Sequence, residues 1–117
     1  MDQVQLKERT KEFAHRCVKL GLALPKNDLE RYILKQLIRC STSVAANYRA
    51  SYIAQSKSSF IAKLSIVVEE ADVSNFWLEF LMDENLLKRD GVIQLFTESA
   101  ELTSIFIASR KTASKRQ

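Results

Sequence analysis

Apolar and small positions recur along this chain at alternating steps of three and four, the period of a helix buried along one face. In the first run, Phe13, Cys17, Leu20 and Leu24 share a stripe and predict a helix over about 3–24. Pro25 should end it, because proline brings no N–H to the ladder and disfavours helical geometry at the residue before it. Asn27 or Asp28 can then cap a second helix over about 29–53. Its seam of Ile33, Leu37, Cys40, Val44, Asn47 and Ser51 has the heptad-like spacing of a bundle with small crossing angles. Ser56 or Ser58 is the expected cap of a third helix over about 58–87, carried by Phe60, Leu64, Val67, Ala71, Ser74, Leu78 and Leu81. The stretch "DENLLKRDG" predicts a turn in which Gly91 supplies the flexibility. A fourth helix over about 92–110 follows from Leu95, Ser99, Leu102, Phe106 and Ser109, and the polar, basic residues 111–117 are expected to fray.

Four amphipathic helices with short links predict an all-α fold, a single antiparallel up-down-up-down four-helix bundle over 1–117. Two Gly and one Pro in 117 residues agree with it, since β folds need more turns. No apolar run approaches the roughly 20 residues that span a bilayer, and the start, "MDQVQLKERTKEF", has no apolar signal core. No membrane is expected. Cys17 and Cys40 lie among apolar residues without metal-ligand spacing, so they read as small buried hydrophobes of a reducing, cytoplasmic protein.

Charge changes the picture. The formal net charge of +4 hides a basic first half, with 12 Lys and Arg against 5 Asp and Glu over 1–63. Residues 64–109 reverse this, with 2 against 9, and 110–117 add four cations. Opposite halves can attract each other within the bundle or between subunits, and the basic surface can meet a polyanion.

Candidate chemistry is sparse. Glu12 and His15 have the Glu-x-x-His spacing of di-iron bundles, but one histidine cannot build such a site in one subunit, so a surface His beside a carboxylate is expected. In "EEAD", Glu69 and Glu70 diverge by about 100° on a helix, and a pairing of Glu70 with Arg39 from the facing helix outweighs catalysis. Arg39, Asn47 and Glu70 are expected to be buried structural polar residues, with Asn47 fixing helix register across the seam. The isolated glycines Gly21 and Gly91 make no phosphate loop, and no Ser or Cys sits in a nucleophile setting. No cofactor, no metal and no enzymatic activity are expected. Tyr48, Arg49 and Tyr52, with Lys57 and Lys63 downstream, have the composition of a base-stacking surface, although aromatics at helical spacing more often pack. Phe76, Trp77 and Phe80 cover more than one face of the third helix, which suggests burial on two sides and hence oligomerisation.

The segments "LIRCSTSVAANYRAS" and "SKSSFIAKLSIVVEEADVSNFWLEFL" resemble the four-helix-bundle family named for proteins encoded in intervening sequences of bacterial 23S ribosomal RNA genes. Arg39, Ser43, Asn47, Ser56, Phe60, Lys63, Leu64, Glu69, Glu70, Trp77, Leu78 and Glu79 carry the resemblance. Where many members follow the Asn with a Glu-Gly pair, this chain has "NYRASY", and Arg49 adds positive charge instead. The resemblance implies a cytoplasmic bundle forming a ring-shaped homo-oligomer, typically a pentamer. A related branch, the accessory variability proteins of diversity-generating retroelements, implies nucleic-acid binding by a basic pentameric barrel.

Together these readings predict a non-enzymatic oligomer that binds RNA or DNA non-specifically, in association with ribosomal RNA on the family's analogy. Arg9, Lys11, Arg16, Lys19, Arg49, Lys57, Arg110 and Lys111 are the candidate contacts. Arg49, at the exit of the smooth small-residue stretch, is the one most worth testing. The alternative is a protein-interaction or structural assembly module with no nucleic-acid affinity.

Overall fold

A computed structural model describes residues 1–24 and 27–116, so the expected stop at Pro25 lies outside the described residues. Four helices follow one another: α1 (Gln3–Leu22), α2 (Asp28–Ser51), α3 (Lys57–Asp83) and α4 (Arg89–Lys115). Helices of 20–27 residues are about 30–40 Å long. A five-residue link cannot span that length, so each helix must fold back on its predecessor. α1 packs on α2 and α4, and α3 packs on α2 and α4; among the described residues the diagonal helices stay apart at the backbone and meet only through core side chains such as Tyr48 and Phe106. The result is a four-helix bundle with Cα extents of 50 × 21 × 20 Å.

Caps set the helix starts. Asp2 and Gln5 form a reciprocal capping box at α1, with Gln5 N–H donating to Asp2 Oδ1 at 2.9 Å. Asn27 accepts from Glu30 N–H at 3.0 Å, and Ser56 accepts from Ser59 N–H at 3.1 Å. The ends depart from the periodicity. α1 and α2 stop two residues early because their last turns tighten to i−3 hydrogen bonds, such as Ala23 N to Leu20 O and Ile53 N to Ala50 O.

At the end of α3 the correction is larger. Asn85 takes a left-handed conformation (φ 53°), its N–H reaches Met82 O, and Leu86 N–H reaches Leu81 O. These two bonds close a Schellman motif and end α3 four residues before the expected boundary. Gly91, expected in the turn, instead lies in the first turn of α4 without a positive φ. α4 also continues through the segment expected to fray, with Ala113 partly buried against the α2–α3 link.

The predicted stripes form the core: Phe13 and Cys17, Ile33, Leu37, Cys40 and Val44, Leu64, Val67, Ala71, Leu78 and Leu81, then Leu95, Leu102 and Phe106. One position of the α2 seam is displaced. Tyr48 is buried where Asn47 was expected, because a helix of 3.6 residues per turn drifts away from a strict heptad step. The Tyr48 ring lies 5.0 Å from that of Phe106, and its hydroxyl pairs with that of Tyr52 at 3.0 Å. Asn47 is therefore half-buried on the flank, and its amide donates to Ser43 O and Ser43 Oγ one turn back in the same helix. It does not bond across the seam.

Small polar residues in the core satisfy themselves locally. The hydroxyls of Ser51, Ser74 and Ser99 donate to Tyr48 O, Glu70 O and Phe96 O at 2.6–2.8 Å. The smooth stretch of α2 thus brings close packing without orphaned polar groups. At Gly21 the approach is closer still, since an added Cβ would strike Leu34 Cδ1.

Cys17 and Cys40 are free thiols with no exposed surface. Burial pushes the Cys17 thiol up to about 12 and raises Cys40 as well. The folded protein therefore keeps a proton that the unfolded chain loses near pH 9. Stability from Cys17 is complete below pH 9 and is lost as pH rises toward 12. By about pH 10.5 the loss should be about 2 kcal/mol. Denaturant midpoints at neutral and alkaline pH measure it, and Cys17→Ala should flatten the alkaline fall.

Candidate nucleic-acid interface

The antiparallel order places the starts of α1 and α3 beside the ends of α2 and α4. Each of these segments is basic. Lys7 and Lys11 come from α1, Arg49 from α2, Lys57 and Lys63 from α3, and Arg110, Lys111, Lys115 and, just beyond the helix, Arg116 from α4. There is no Asp or Glu between Arg31 and Val68, nor after Glu101, so the carboxylates near this end are Asp2, Glu8 and Glu12 on the α1 side and Glu101, which pairs with Arg9. At the opposite end Asp28, Glu30, Glu79, Asp83, Glu84 and Asp90 outnumber Lys19, Arg31, Lys88 and Arg89. The bundle is thus polarised along its long axis.

The eight candidate contacts separate under this geometry. Arg9 is taken up by structure. Its Nη2 lies 2.6 Å from both Glu98 Oε1 and Glu101 Oε2, and its Nε donates to Glu98 Oε2 at 2.7 Å. The hydrogen bonds this guanidinium donates to Glu98 hold it firmly charged and tie α1 to α4. Arg16 is half-buried and reaches Gln94 Oε1 at 3.5 Å on α4, and Lys19 is exposed near the acidic end. None of the three joins the basic end. Lys11, Arg49, Lys57, Arg110 and Lys111 do, with Arg110 half-buried and donating to Ser65 Oγ at 3.5 Å. Lys7, Lys115 and Arg116 complete the end. The acid-free intervals around Arg49, Lys57, Arg110 and Lys111 were the signal in the sequence, but only antiparallel packing turns them into a surface.

Two depressions open near this end. One, of about 550 Å³, runs between α1 and α2 over Ala14, Val18, Ala45 and Ala46, rimmed by Lys7, Glu8, Lys11, His15 and Arg49. The other, of about 400 Å³, lies between Tyr52, Lys57, Phe60 and Arg116. Tyr48 is closed to a base by its burial, whereas Tyr52 is exposed and meets Phe60 edge-on at 5.6 Å.

Arg39 and Glu70 pair between α2 and α3, with Nη1 3.1 Å from Oε2. The expectation of burial fails for Arg39, which retains 53% of its side-chain exposure, and is met in part for Glu70, which retains 19%. Both project from helix flanks where the bundle faces solvent, and such a pair contributes about 0–1 kcal/mol. Among the described residues, no group of three or more His, Cys, Asp or Glu is placed to hold a metal ion, and no helix is long and apolar enough to cross a membrane.

A family model for the 23S rRNA-intervening sequence protein matches residues 2–108. The chain belongs to this family. A similar solved structure, of a protein of unknown function from the S23 ribosomal protein family of Bacteroides thetaiotaomicron VPI-5482, is 33% identical. It superposes with a TM-score of 0.86 over 95% of this chain and 99% of its own. No curated protein matches. Family membership accounts for the four helices and agrees with the resemblance carried by Arg39, Asn47, Phe60, Glu70 and Trp77.

Proposed function

We propose that this protein is a non-enzymatic, self-associating bundle of the cytoplasm that binds RNA or DNA through its phosphates, with ribosomal RNA the candidate suggested by its family. The observation that carries this reading is the gathering of exposed Lys57, Lys111, Lys115 and Arg116 at one end of the bundle with few carboxylates. Flexible ammonium groups at a rim suit phosphate oxygens and read no base edge, so binding is weakly sequence-specific. Both thiols are closed off and protonated, which favours binding over covalent chemistry. Self-association into a ring, of five copies on the family resemblance, would multiply the basic end and raise avidity.

A salt titration of mixed RNA and DNA fragments tests the reading. The logarithm of the binding constant should fall linearly with the logarithm of salt concentration, by about 0.7–0.9 per phosphate contact. Fragments that pass the protein unretained at low ionic strength would overturn it. A second reading, an assembly module without nucleic-acid affinity, draws on Phe76, which stands 54% exposed on α3.

A further inference from the structure

Two surfaces of the bundle are built as opposites. The first is a ridge. Successive residues of α3 turn by about 100°, so Asp72, Phe76, Glu79, Phe80 and Asp83 share its outward side, away from the buried Ala71, Leu78 and Leu81. The Phe76 ring meets Trp77 at 5.1 Å and Phe80 at 6.1 Å, and Trp77 reaches Tyr32 of α2 at 5.8 Å. This is one aromatic cluster flanked by carboxylates, and α3 carries no Lys or Arg after Lys63. Trp77 and Phe80 are partly buried, and Phe76, 54% exposed, is the apolar side chain left for a partner to cover.

The second surface is the α1–α2 cleft. Its floor is made of small side chains, its volume of about 550 Å³ has room for aromatic rings, and cations dominate its rim. The inference rests on the self-association reading above. We propose that the α3 ridge of one copy seats in the α1–α2 cleft of a second copy, with Phe76 and Phe80 over Ala45 and Ala46. Glu79 and Asp83 then meet Lys11 and Arg49. Neither surface complements itself: ridge on ridge sets carboxylates against carboxylates, and cleft on cleft sets cations against cations. The contact is therefore heterologous, and each copy uses both surfaces. The ridge lies toward the acidic end and the cleft toward the basic end, so the contact joins unlike ends of successive copies.

Light scattering on mixed variants tests the pairing. The ridge variant is Phe76→Asp, and the cleft variant is Ala46→Glu with Arg49→Glu. All three positions are exposed, so both proteins should keep the parent's helical circular dichroism. The parent should be oligomeric and each variant monomeric. An equimolar mixture should give dimers and nothing larger, because each mixed pair keeps one intact ridge and one intact cleft. Full assembly of either variant alone, or a mixture that stays monomeric, would overturn this pairing of surfaces while leaving self-association standing. A parent protein that is monomeric at every concentration would overturn self-association itself.

Discussion

Lys57→Glu, Lys111→Glu and Lys115→Glu together should weaken nucleic-acid binding at low salt by about 100-fold or more and make the salt slope shallower by about 2–3. The three side chains are exposed at the basic end and enter no ion pair with Asp or Glu among the described residues, so their reversal acts on the surface alone. The matched control is Lys19→Glu, Lys88→Glu and Arg89→Glu, which makes the same change in net charge near the acidic end. If the polarised end is the contact, the control should lose less than a few-fold. If net charge alone matters, the two triple variants should weaken equally, and the assignment to one end fails. Binding isotherms at several salt concentrations, with the same RNA and DNA fragments, give both affinity and slope.

Phe106→Ala should lower the unfolding free energy by about 3–5 kcal/mol. Phe106 has no exposed surface and packs its ring against Tyr48, itself 1% exposed. Truncation opens a cavity between α2 and α4, where a rigid bundle can collapse only in part. Tyr48→Phe should cost much less, about 0.5–1.5 kcal/mol, because it removes the hydroxyl pair with Tyr52 and keeps the ring. Denaturant unfolding of the two variants separates packing from hydrogen bonding. A loss below about 1 kcal/mol for Phe106→Ala would mean that the two rings are not the joint between these helices.

Much of the packing was legible because burial repeats locally. Phe13 and Cys17, Ile33 through Val44, and Leu64 through Leu81 fall where the three-four spacing places them. The end of α3 was misplaced, because Gly91 offered the stronger nominal turn signal whereas Asn85 takes the left-handed conformation that terminates the helix. Asn47 and Tyr48 were separable only by the accumulated drift of the helix against a heptad. Arg9 had no local signal at all: its partners Glu98 and Glu101 lie some 90 residues away along the chain.

By itself, the sequence determined four helices, the caps of α2 and α3, the apolar stripes and the family, because each depends on residues within a few turns of one another. It also contained long intervals free of carboxylates. Tertiary structure alone decided which cations remain available. Antiparallel packing gathered four separate basic segments at one end, bound Arg9 between α1 and α4, and carried Lys19 to the far side. It also left Phe76 of α3 facing outward and opened the cleft between α1 and α2. Charge acts through distances in space, and those distances exist only once the helices have packed.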